Sequence, residues 1–552
     1  MNNFQDKANF IWTVADDMLR NIFEQHEYND VVLPFVVLRR LDCIHEVVKD
    51  NVIATHKKFS KKLNEEQLEP ILIKATKGLK FYNKSDFDLQ RLSQDAKNIE
   101  LNFNNYINGY SKNIYDVIEN FQLLNIVKRL VKNDILFMMV DRFTEVDLHP
   151  NKVSNHEMGY IYEELLRRFS EMQNKTAGHH YTPREVIRLM VNLLFVEEKE
   201  NLQGKGLIRS VYDPACGTGG MLTIAKEYIN NQINPDLNVI LFGQEENEKT
   251  FAVSKSDMLI SGENPDNIKL GTSFSKDGFL GKKFDYMLSN PPFGVSWNKE
   301  KNFITNESGD PNGRFSAGLP RTSDGAFLFL QHMISKMNKN GSRLGIVFNG
   351  SPLITGDAGS GESNIRKWII ENDWLETVIA LPTELFYNTG IATYVWVVTN
   401  KKSNKRKGKI QLIDATNFFK IMKKKLGDKR NNISDEHIEQ ITTLFTSFAK
   451  SEYCHVHPNE YFGYTKVTIE QPLLDDDGNI VTDKKGNPKP DSKKRDYERI
   501  PLEQDIDDYF DIEVKPHLPT SWMDRNKDKI GYEINIIKDF YKYKPLRSLE
   551  DI

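Results

Sequence analysis

The stretch VYDPACGTGGML, residues 211–222, joins a short apolar run to a glycine-rich turn and then to a helical pattern. Because glycine has no Cβ atom, Gly217, Gly219 and Gly220 let the backbone turn tightly and let a nucleoside-like ligand come close to it. The glycines lack the G-x-G-x-x-G spacing of a dinucleotide site, and an acid, Asp213, precedes them. The stretch therefore predicts a strand, a ligand-binding turn and a helix.

The next apolar run, residues 239–243, ends at Gln244 and Glu245. In doubly wound sheets an acid at the end of the second strand hydrogen-bonds a ribose diol. Glu246 and Glu248 follow, so the start of a solvated acidic helix is the alternative interpretation of each acid. Since Glu245 is nearest to the end of the strand, we predict that it is the acid that binds the ligand.

A third run, residues 284–289, is typical of a buried strand and is followed directly by Asn290-Pro291-Pro292-Phe293. The exocyclic amino group of adenine or cytosine is a weak nucleophile, because its lone pair is delocalised into the ring. The Asn290 side-chain carbonyl and the Pro291 backbone carbonyl could each accept one of its N–H bonds, while the prolines keep the segment rigid. Phe293 could stack on a base extruded from a duplex. The tetrapeptide predicts a site for a planar amine, and a plain Pro-Pro turn is the alternative.

Residues 155–400 alternate strand-like and helical runs, which predicts an α/β fold with a mostly parallel, Rossmann-like sheet. Apolar residues recur at helical spacing before this region, as at Phe10, Val14 and Met18. We predict a helical N-terminal domain over 1–150, the sheet-bearing catalytic domain over 151–425, and a mixed C-terminal extension over 426–552.

Composition limits the class of protein and its partners. The chain has 552 residues, 39% hydrophobic, so it can bury several cores, and its net charge of −4 implies that any contact with DNA is local or shared with another protein. Its three cysteines, Cys43, Cys216 and Cys454, are far apart and odd in number, which favours a reducing cytoplasm and no zinc site. No apolar run approaches the roughly 18 residues that a membrane span needs.

Two motifs together carry a family resemblance. Asp213-Pro214-Ala215-Cys216-Gly217-Thr218-Gly219-Gly220, with Asn290-Pro291-Pro292-Phe293 downstream, resembles the S-adenosylmethionine-dependent N6-adenine DNA methyltransferases. The upstream segment GHHYTPR, residues 178–184, is similar to the one that covers the methionine part of the cofactor in this family. The order of the three segments is that of the modification subunits of type I restriction-modification systems, and the resemblance extends over nearly the whole chain.

The resemblance implies transfer of a methyl group from S-adenosylmethionine to N6 of an adenine flipped out of DNA. The implied catalytic residues are Asn290, Pro291, Pro292 and Phe293. The implied cofactor-binding residues are His179, His180, Tyr181, Thr182, Pro183, Arg184, Asp213, Gly217, Thr218, Gly219, Gly220 and Glu245, and no metal is expected. One residue departs from the family: Thr272 stands where many relatives have an acid or amide that reads the adenine ring of the cofactor.

The implied partners are double-stranded DNA, a DNA-specificity subunit and a second copy of the chain, with a restriction subunit as an optional member. No membrane partner is expected. Three alternatives stay open at this point: a protein glutamine-amide methyltransferase, a non-catalytic nucleotide-binding scaffold, and a self-sufficient adenine DNA methyltransferase.

Four other segments carry predictions of their own. Residues 295–323, polar and rich in glycine and asparagine, predict either a mobile flap over the target base or a disordered loop. The basic run at 401–409 predicts a solvated hairpin tip or a phosphate contact. Residues 530–549 predict an aromatic terminal helix that packs on its own chain or docks on a partner, which the resemblance implies is the specificity subunit. His455 and His457 lack a second pair of metal ligands nearby in the sequence.

Overall fold

The computed structural model describes residues 4–172, 182–387 and 389–541. Its α-helices are α1 Phe4–Leu19, α2 Tyr28–His45, α3 Lys49–Phe59, α4 Glu65–Ala75, α5 Leu89–Leu92, α6 Ile99–Asn108, α7 Lys112–Asn120, α8 Leu123–Lys132, α9 Leu136–Thr144, α10 Asn155–Met172, α11 Arg184–Phe195, α12 Gly220–Tyr228, α13 Glu248–Ile260, α14 Lys301–Ser308, α15 Ala326–Ser335, α16 Ser351–Ile354, α17 Gly361–Glu371, α18 Asp435–Ser447, α19 Ile506–Tyr509 and α20 Ile536–Asp539. Its strands are β1 Ile208–Asp213, β2 Asn238–Glu245, β3 Ile268–Leu270, β4 Tyr286–Ser289, β5 Arg343–Asn349, β6 Leu375–Ala380, β7 Thr393–Thr399, β8 Lys409–Asp414, β9 Lys420–Leu426, β10 Lys429–Asn432, β11 Cys454–Pro458, β12 Gly463–Glu470, β13 Asp496–Pro501, β14 Trp522–Met523 and β15 Lys529–Tyr532.

A nine-stranded sheet forms the centre of the molecule, in the order β11-β8-β6-β7-β5-β4-β1-β2-β3. Strands β3, β2, β1, β4 and β5 are mutually parallel, β7 is antiparallel to both its neighbours, and β11 is antiparallel to β8. The predicted mostly parallel sheet is therefore confirmed. The chain builds outward in one direction through β1, β2 and β3 and in the other through β4 and β5, so the topological switch point lies between β1 and β4.

Helices cover the sheet on both faces, which explains why β4, β5, β6 and β7 are buried along nearly their whole length. Residues of α11, α12 and α18 share one core with Val211, Tyr286 and Leu288. Residues of α15 and α17 share a second core with Tyr212 and Met287. Neighbouring residues of β1 and of β4 thus point to opposite faces, as the period of two in a strand requires.

The N-terminal region is helical, as predicted, but its core does not end at residue 150. Helices α1, α2 and α6–α9 bury their apolar faces together with Ile161, Leu165 and Phe169 of α10. Val253 and Leu259 of α13, which lies beside the main sheet, join the same core. The helical region therefore includes α10 and packs directly against the sheet-bearing region.

The predicted boundary between 425 and 426 needs correction. It falls within β9, which pairs with β10 in an antiparallel hairpin. Farther along the chain, α18 packs in the main core and β11 pairs with β8, so the main sheet takes its last strand from the predicted extension. A second, smaller sheet of β12 to β15 begins after β11. The tail thus starts near residue 459, after β11 has completed the main sheet.

The aromatic terminal helix predicted over 530–549 is also corrected within the described part of that segment. Residues 529–532 form β15, antiparallel to β12, and the helix that follows, α20, has four residues. Tyr532, Ile534 and Ile536 are buried in the core beside α17. The segment packs on its own chain through a strand, which places alternate side chains in the core. Residues 542–552 lie outside the described residues.

Across the described ranges, every helix is too short or too polar to span a bilayer.

Candidate functional site

The loops that follow β1, β2, β3 and β4 meet at the carboxyl edge of the sheet, at the switch point where ligands of doubly wound folds bind. They enclose a cavity of about 710 Å³, within the range of small-molecule sites. The lining includes Pro214, Ala215 and Gly217 after β1, Glu245, Glu246 and Asn247 after β2, Gly271, Thr272, Ser273 and Phe274 after β3, and Asn290 and Pro292 after β4. The glycine-rich turn, the acid after β2 and the Asn-Pro-Pro-Phe segment therefore converge on one cavity.

The glycine-rich turn has the conformation that its composition predicts. Gly217 and Gly219 have φ angles of 55° and 88°, in the left-handed region that favours glycine. Gly219 also comes close to α13, because a Cβ atom there would lie 3.0 Å from the Ser254 hydroxyl oxygen. A Cβ atom on Gly217, which lines the cavity, would meet no atom within 4 Å. The turn thus leaves open space beside its backbone.

Glu245 is held at the edge of this space by the two loops that flank it. One carboxylate oxygen accepts a hydrogen bond of 2.9 Å from the Gly217 N–H. The other accepts one of 2.8 Å from the Asn247 N–H, at the start of α13. The carboxylate is therefore oriented by backbone donors, whereas Glu246, which also lines the cavity, is exposed. This geometry favours Glu245 over Glu246, as the sequence predicts.

Asp213 lies behind the cavity wall, where it connects the ends of two strands. Its side chain is buried, and one oxygen accepts hydrogen bonds of 2.9 Å from the Ala215 N–H and 2.9 Å from the Ser289 hydroxyl. Burial, with a further contribution from the nearby Glu245 carboxylate, raises the pKa of Asp213 to about 7. Asp213 thus joins the carboxyl ends of β1 and β4, and among the described residues the cavity lining begins at its neighbour Pro214.

The tetrapeptide divides between the cavity and the core. Asn290 and Pro292 line the cavity, and the Asn290 amide donates a hydrogen bond of 2.8 Å to the Thr182 hydroxyl. Phe293 is 8% exposed and packs edge-to-face on Phe386, with ring centroids 6.2 Å apart. The structure therefore brings Asn290 and Pro292 to the cavity and places Phe293 beside it, against the core.

The segment predicted to cover the cofactor is described only in part, since His179, His180 and Tyr181 lie outside the described residues. Pro183 caps α11, and Arg184 is buried in an ion pair with Glu163 of α10, with nitrogen and oxygen 3.1 Å apart. In the described part of the chain, Thr182 contacts the tetrapeptide, while Arg184 joins two helices. Thr218 and Gly220 likewise continue the turn into α12 rather than line the cavity.

A cover segment, residues 295–329, closes the cavity, and the sequence did not predict its structure. The alternative of a disordered loop is wrong, because the segment contains α14 and shares a small core with the loop after β3. The members of that core are Phe274, Trp297, Ile304, Phe315 and Leu328. Arg314 holds the segment down by donating hydrogen bonds of 2.9 Å and 2.6 Å to the backbone oxygens of Ser273 and Phe274. Movement of the segment over the target base stays a prediction.

The cover segment brings one further acid to the cavity. The Glu300 carboxylate accepts hydrogen bonds of 2.9 Å from the Thr272 hydroxyl and 3.1 Å from the Ser275 N–H. It lines the cavity together with Trp297 and Phe329. Thr272 is the position at which the resemblance implied a missing acid or amide, and the structure brings to it a carboxylate from a residue 28 positions away. Sequence reasoning missed Glu300 because nothing local marks it.

The basic run at 401–409 is divided between the interior and the surface. Arg406 is fully buried, and its guanidinium lies 2.9 Å from a Glu197 oxygen. The Lys402 ammonium lies 2.6 Å from an Asp373 oxygen. The run is not a hairpin tip, because β7 and β8 both pair with β6 rather than with each other. Lys405, Lys407 and Lys409 are exposed, so a phosphate contact by these three stays a prediction.

Together, the parallel sheet, the glycine turn, the acid after β2 and the Asn-Pro-Pro-Phe segment after β4 define a methyltransferase of the class that modifies planar amines. Residues 153–482, more than half of the chain, match the family model described as N-6 DNA Methylase, and residues 7–143 match the HsdM N-terminal domain. The chain belongs to the N-6 DNA methylase family and is an adenine-specific DNA methyltransferase of the type I restriction-modification kind.

Individual relatives agree with this assignment. The type I restriction enzyme MjaIX methylase subunit of Methanocaldococcus jannaschii is 28% identical over 467 residues, 80% of this chain and 77% of that protein. The HindI methylase subunit of Haemophilus influenzae is 33% identical over 261 residues, 47% of this chain and 54% of that protein. The methyltransferase subunit of a type I system from Streptococcus thermophilus has the same fold, with a TM-score of 0.65, 23% identity, and coverage of 83% of this chain and 96% of that one.

Proposed function

We propose that the cavity binds S-adenosylmethionine and that Asn290 presents the N6 amine of a flipped adenine to it. The observation that carries the proposal is the position of Asn290 and Glu245 on one cavity, at the ends of β4 and β2, with the glycine turn between them. The family is one of methyltransferases that act on N6 of adenine in DNA.

The residues present fit a nucleoside-containing cofactor. The Glu245 carboxylate, oriented by two backbone N–H groups, is suited to accept hydrogen bonds from the ribose diol. Open space beside Gly217 allows the ligand to approach the backbone. We propose that Glu300 supplies the charged acceptor for the adenine amine of the cofactor. The Thr272 hydroxyl, which donates to Glu300, can accept only as a neutral group and is therefore the weaker acceptor.

When bound, S-adenosylmethionine supplies an electrophilic methyl group on a sulfonium. The chain's own contribution is to position the amine and to polarise it. The Asn290 side-chain carbonyl and the Pro291 carbonyl would accept the two N–H bonds of the target amine, which favours a pyramidal nitrogen with a localised lone pair. Pro292 keeps the segment extended, and Phe293 stays a predicted stacking surface for the target base.

We propose that the chain acts on double-stranded DNA as part of a larger complex. Its net charge of −4, together with the ion pairs that bury Lys402 and Arg406 of its basic run, leaves DNA binding to be shared with another protein. A DNA-specificity subunit and a second copy of this chain are the partners we propose, with a restriction subunit as an optional member. All three cysteines are buried and unpaired, which supports a reducing cytoplasm.

The test is methylation by the chain co-purified with its neighbouring specificity subunit, using cofactor with a labelled methyl group. We expect label in DNA but not in protein, and sequencing should map N6-methyladenine to a defined site. Label in a protein glutamine would favour the amide methyltransferase. Full-rate methylation of a defined site by the chain alone would contradict the subunit assignment.

A further inference from the structure

A cluster of two histidines and one aspartate lies at the edge of the main sheet, outside the methyltransferase cavity. His455 Nδ1 is 2.6 Å from an Asp539 carboxylate oxygen, and His457 Nε2 is 3.0 Å from the other. The three ligand-type atoms all lie within 4.8 Å of one another. No residue of the cluster is among those that line the cavity within the described chain, so the proposed methyl transfer leaves it without a role.

Strand geometry explains the arrangement. His455 and His457 are two residues apart on β11, the outermost strand of the sheet, so their side chains point to the same face. Asp539 is the last residue of α20, which lies against that face. Since more than 80 positions separate the aspartate from the histidines, the sequence pattern showed two possible ligands where the fold brings together three.

The chemistry of the three groups is that of a transition-metal site. Imidazole nitrogen and carboxylate oxygen are ordinary ligands of Zn²⁺ and similar ions, at bond lengths of about 2.0–2.1 Å. Tetrahedral geometry at these lengths places ligand atoms about 3.3 Å apart. The histidine-to-aspartate separations of 2.6, 3.0 and 3.2 Å need to widen by only a fraction of an ångström to admit an ion.

The ligand groups are also held in place. The His457 ring stacks on Tyr461 with centroids 3.8 Å apart, and the His455 ring stacks on Phe540 at 4.4 Å. The Tyr461 hydroxyl donates a hydrogen bond of 2.9 Å to Asp539, an outer contact of the kind that orients metal-binding carboxylates. The side chains of His455, His457 and Asp539 are 21%, 19% and 7% exposed, so an ion can enter and a water can complete its coordination.

We propose that His455 Nδ1, His457 Nε2 and the Asp539 carboxylate bind one divalent transition-metal ion of the Zn²⁺ class, with a solvent ligand in the fourth position. The ion joins β11 to α20 and so fixes the end of the tail on the main sheet. The rival interpretation is an ion-pair clamp, in which the imidazoles donate their N–H bonds to Asp539 and no metal binds. This inference is independent of the methyl-transfer proposal.

Cobalt provides the test, because Co²⁺ replaces Zn²⁺ in such sites and absorbs visible light when it is four- or five-coordinate. The full chain, without an affinity tag and stripped with a chelator, is titrated with Co²⁺ and then with Zn²⁺. We expect one strong site per chain whose visible bands disappear when Zn²⁺ displaces the cobalt. Absence of these bands, or binding of the hydrated octahedral type, would overturn the proposal in favour of the clamp.

Three variants assign the site. His457→Gln and Asp539→Asn should each weaken Co²⁺ binding at least about 100-fold, since each loses a direct ligand, and even outer-sphere changes cost about 10–100-fold. His517→Gln, an exposed histidine in the same tail, is the matched control and should bind as the unchanged chain does. Equal affinity in His457→Gln and the unchanged chain would contradict the site.

Stability measurements guard against misfolded variants. Zn²⁺ should raise the thermal midpoint of the unchanged chain and of His517→Gln, but not that of His457→Gln, because an ion that binds the folded state alone stabilises it. Circular dichroism detects whether Asp539→Asn is unfolded in the absence of metal. In that case the Zn²⁺-induced shift of the thermal midpoint in His455→Gln and His457→Gln tests the site. A Zn²⁺ shift that is unchanged in both histidine variants would overturn the proposal.

Discussion

The strand-end loops at 213–219, 245–247 and 290–293 and the cover segment at 295–329 form opposite walls of one cavity, yet they differ in what holds them. The loops are fixed by the sheet, since each begins where a buried strand ends and Asp213 joins two of those ends. The cover segment is fixed by the small core that it shares with Phe274 and by Arg314. One wall is therefore set by local sequence motifs and the other by tertiary packing.

This difference predicts a division of labour. Groups on the strand-end loops are placed rigidly, as positioning of a reacting amine and a ribose requires. Groups on the cover segment adjust the fit of the ligand. Variants of the loop groups that line the cavity should accordingly have larger effects than variants of the cover segment.

The largest effect is expected at Asn290. Asn290→Ala removes the side-chain carbonyl proposed to polarise the target amine, so methyl transfer by the complete complex should fall about 10²–10³-fold. Binding of S-adenosylmethionine should change much less, because the residue acts on the other reactant. Single-turnover transfer to DNA and equilibrium cofactor binding are the two measurements.

The control for this variant is Asn302→Ala, an exposed asparagine on α14 of the cover segment, which should keep full activity. If Asn290→Ala instead lost cofactor binding and transfer in equal measure, Asn290 would be a cofactor ligand and its proposed role would fail.

The second effect concerns Glu245. Glu245→Gln removes the charge that the ribose diol is proposed to meet, and a hydrogen bond to a charged group contributes about 1.5–3 kcal/mol, so cofactor binding should weaken about 10–100-fold. Glu246→Gln is the matched control, because Glu246 also lines the cavity but is exposed. Titration calorimetry measures the cofactor affinity of both variants. A larger loss of affinity in Glu246→Gln would make Glu246, not Glu245, the ribose ligand.

The third effect tests the cover segment. Glu300→Gln keeps the size of the side chain but weakens the acceptor beside Thr272, and we expect cofactor binding to weaken about 3–10-fold, the size of one modest hydrogen bond. Asp310→Asn changes an exposed carboxylate of the same segment and should have no effect. If Glu300→Gln lost as much cofactor affinity as Glu245→Gln, the cover segment and the strand-end loops would contribute equally to cofactor binding.

The sequence predicted the features that strand order and local motifs determine. The parallel sheet, the glycine turn, Glu245 and Asn290 follow from short patterns, because a parallel sheet brings its strand ends to one edge. Glu300 and the contact between His455 and Asp539 depend on how distant segments pack. Residues 529–532 form a strand because β12 offers an edge to pair with, which an aromatic pattern alone does not reveal.

The smallest effect on cofactor binding is expected at Asp213, which supports the strand-end loops but does not line the cavity. Asparagine in its place can still accept the hydrogen bonds from the Ala215 N–H and the Ser289 hydroxyl, so cofactor binding should change about threefold or less. The pH dependence of stability gives a second readout, because burial raises the pKa of Asp213 to about 7.

The sign of that dependence follows from the direction of the shift. Between about pH 4 and pH 7 the folded chain keeps a proton on Asp213 that the unfolded chain releases, so this group lowers stability as pH rises through the window and adds no further slope above it. Asp213→Asn should therefore gain stability relative to the unchanged chain from pH 4 to pH 7, as measured by denaturant unfolding at several pH values. Two results together would make Asp213 an ionised cofactor ligand rather than a buried support. The difference in unfolding free energy between Asp213→Asn and the unchanged chain would stay constant from pH 4 to pH 7, and the variant would lose as much cofactor affinity as Glu245→Gln.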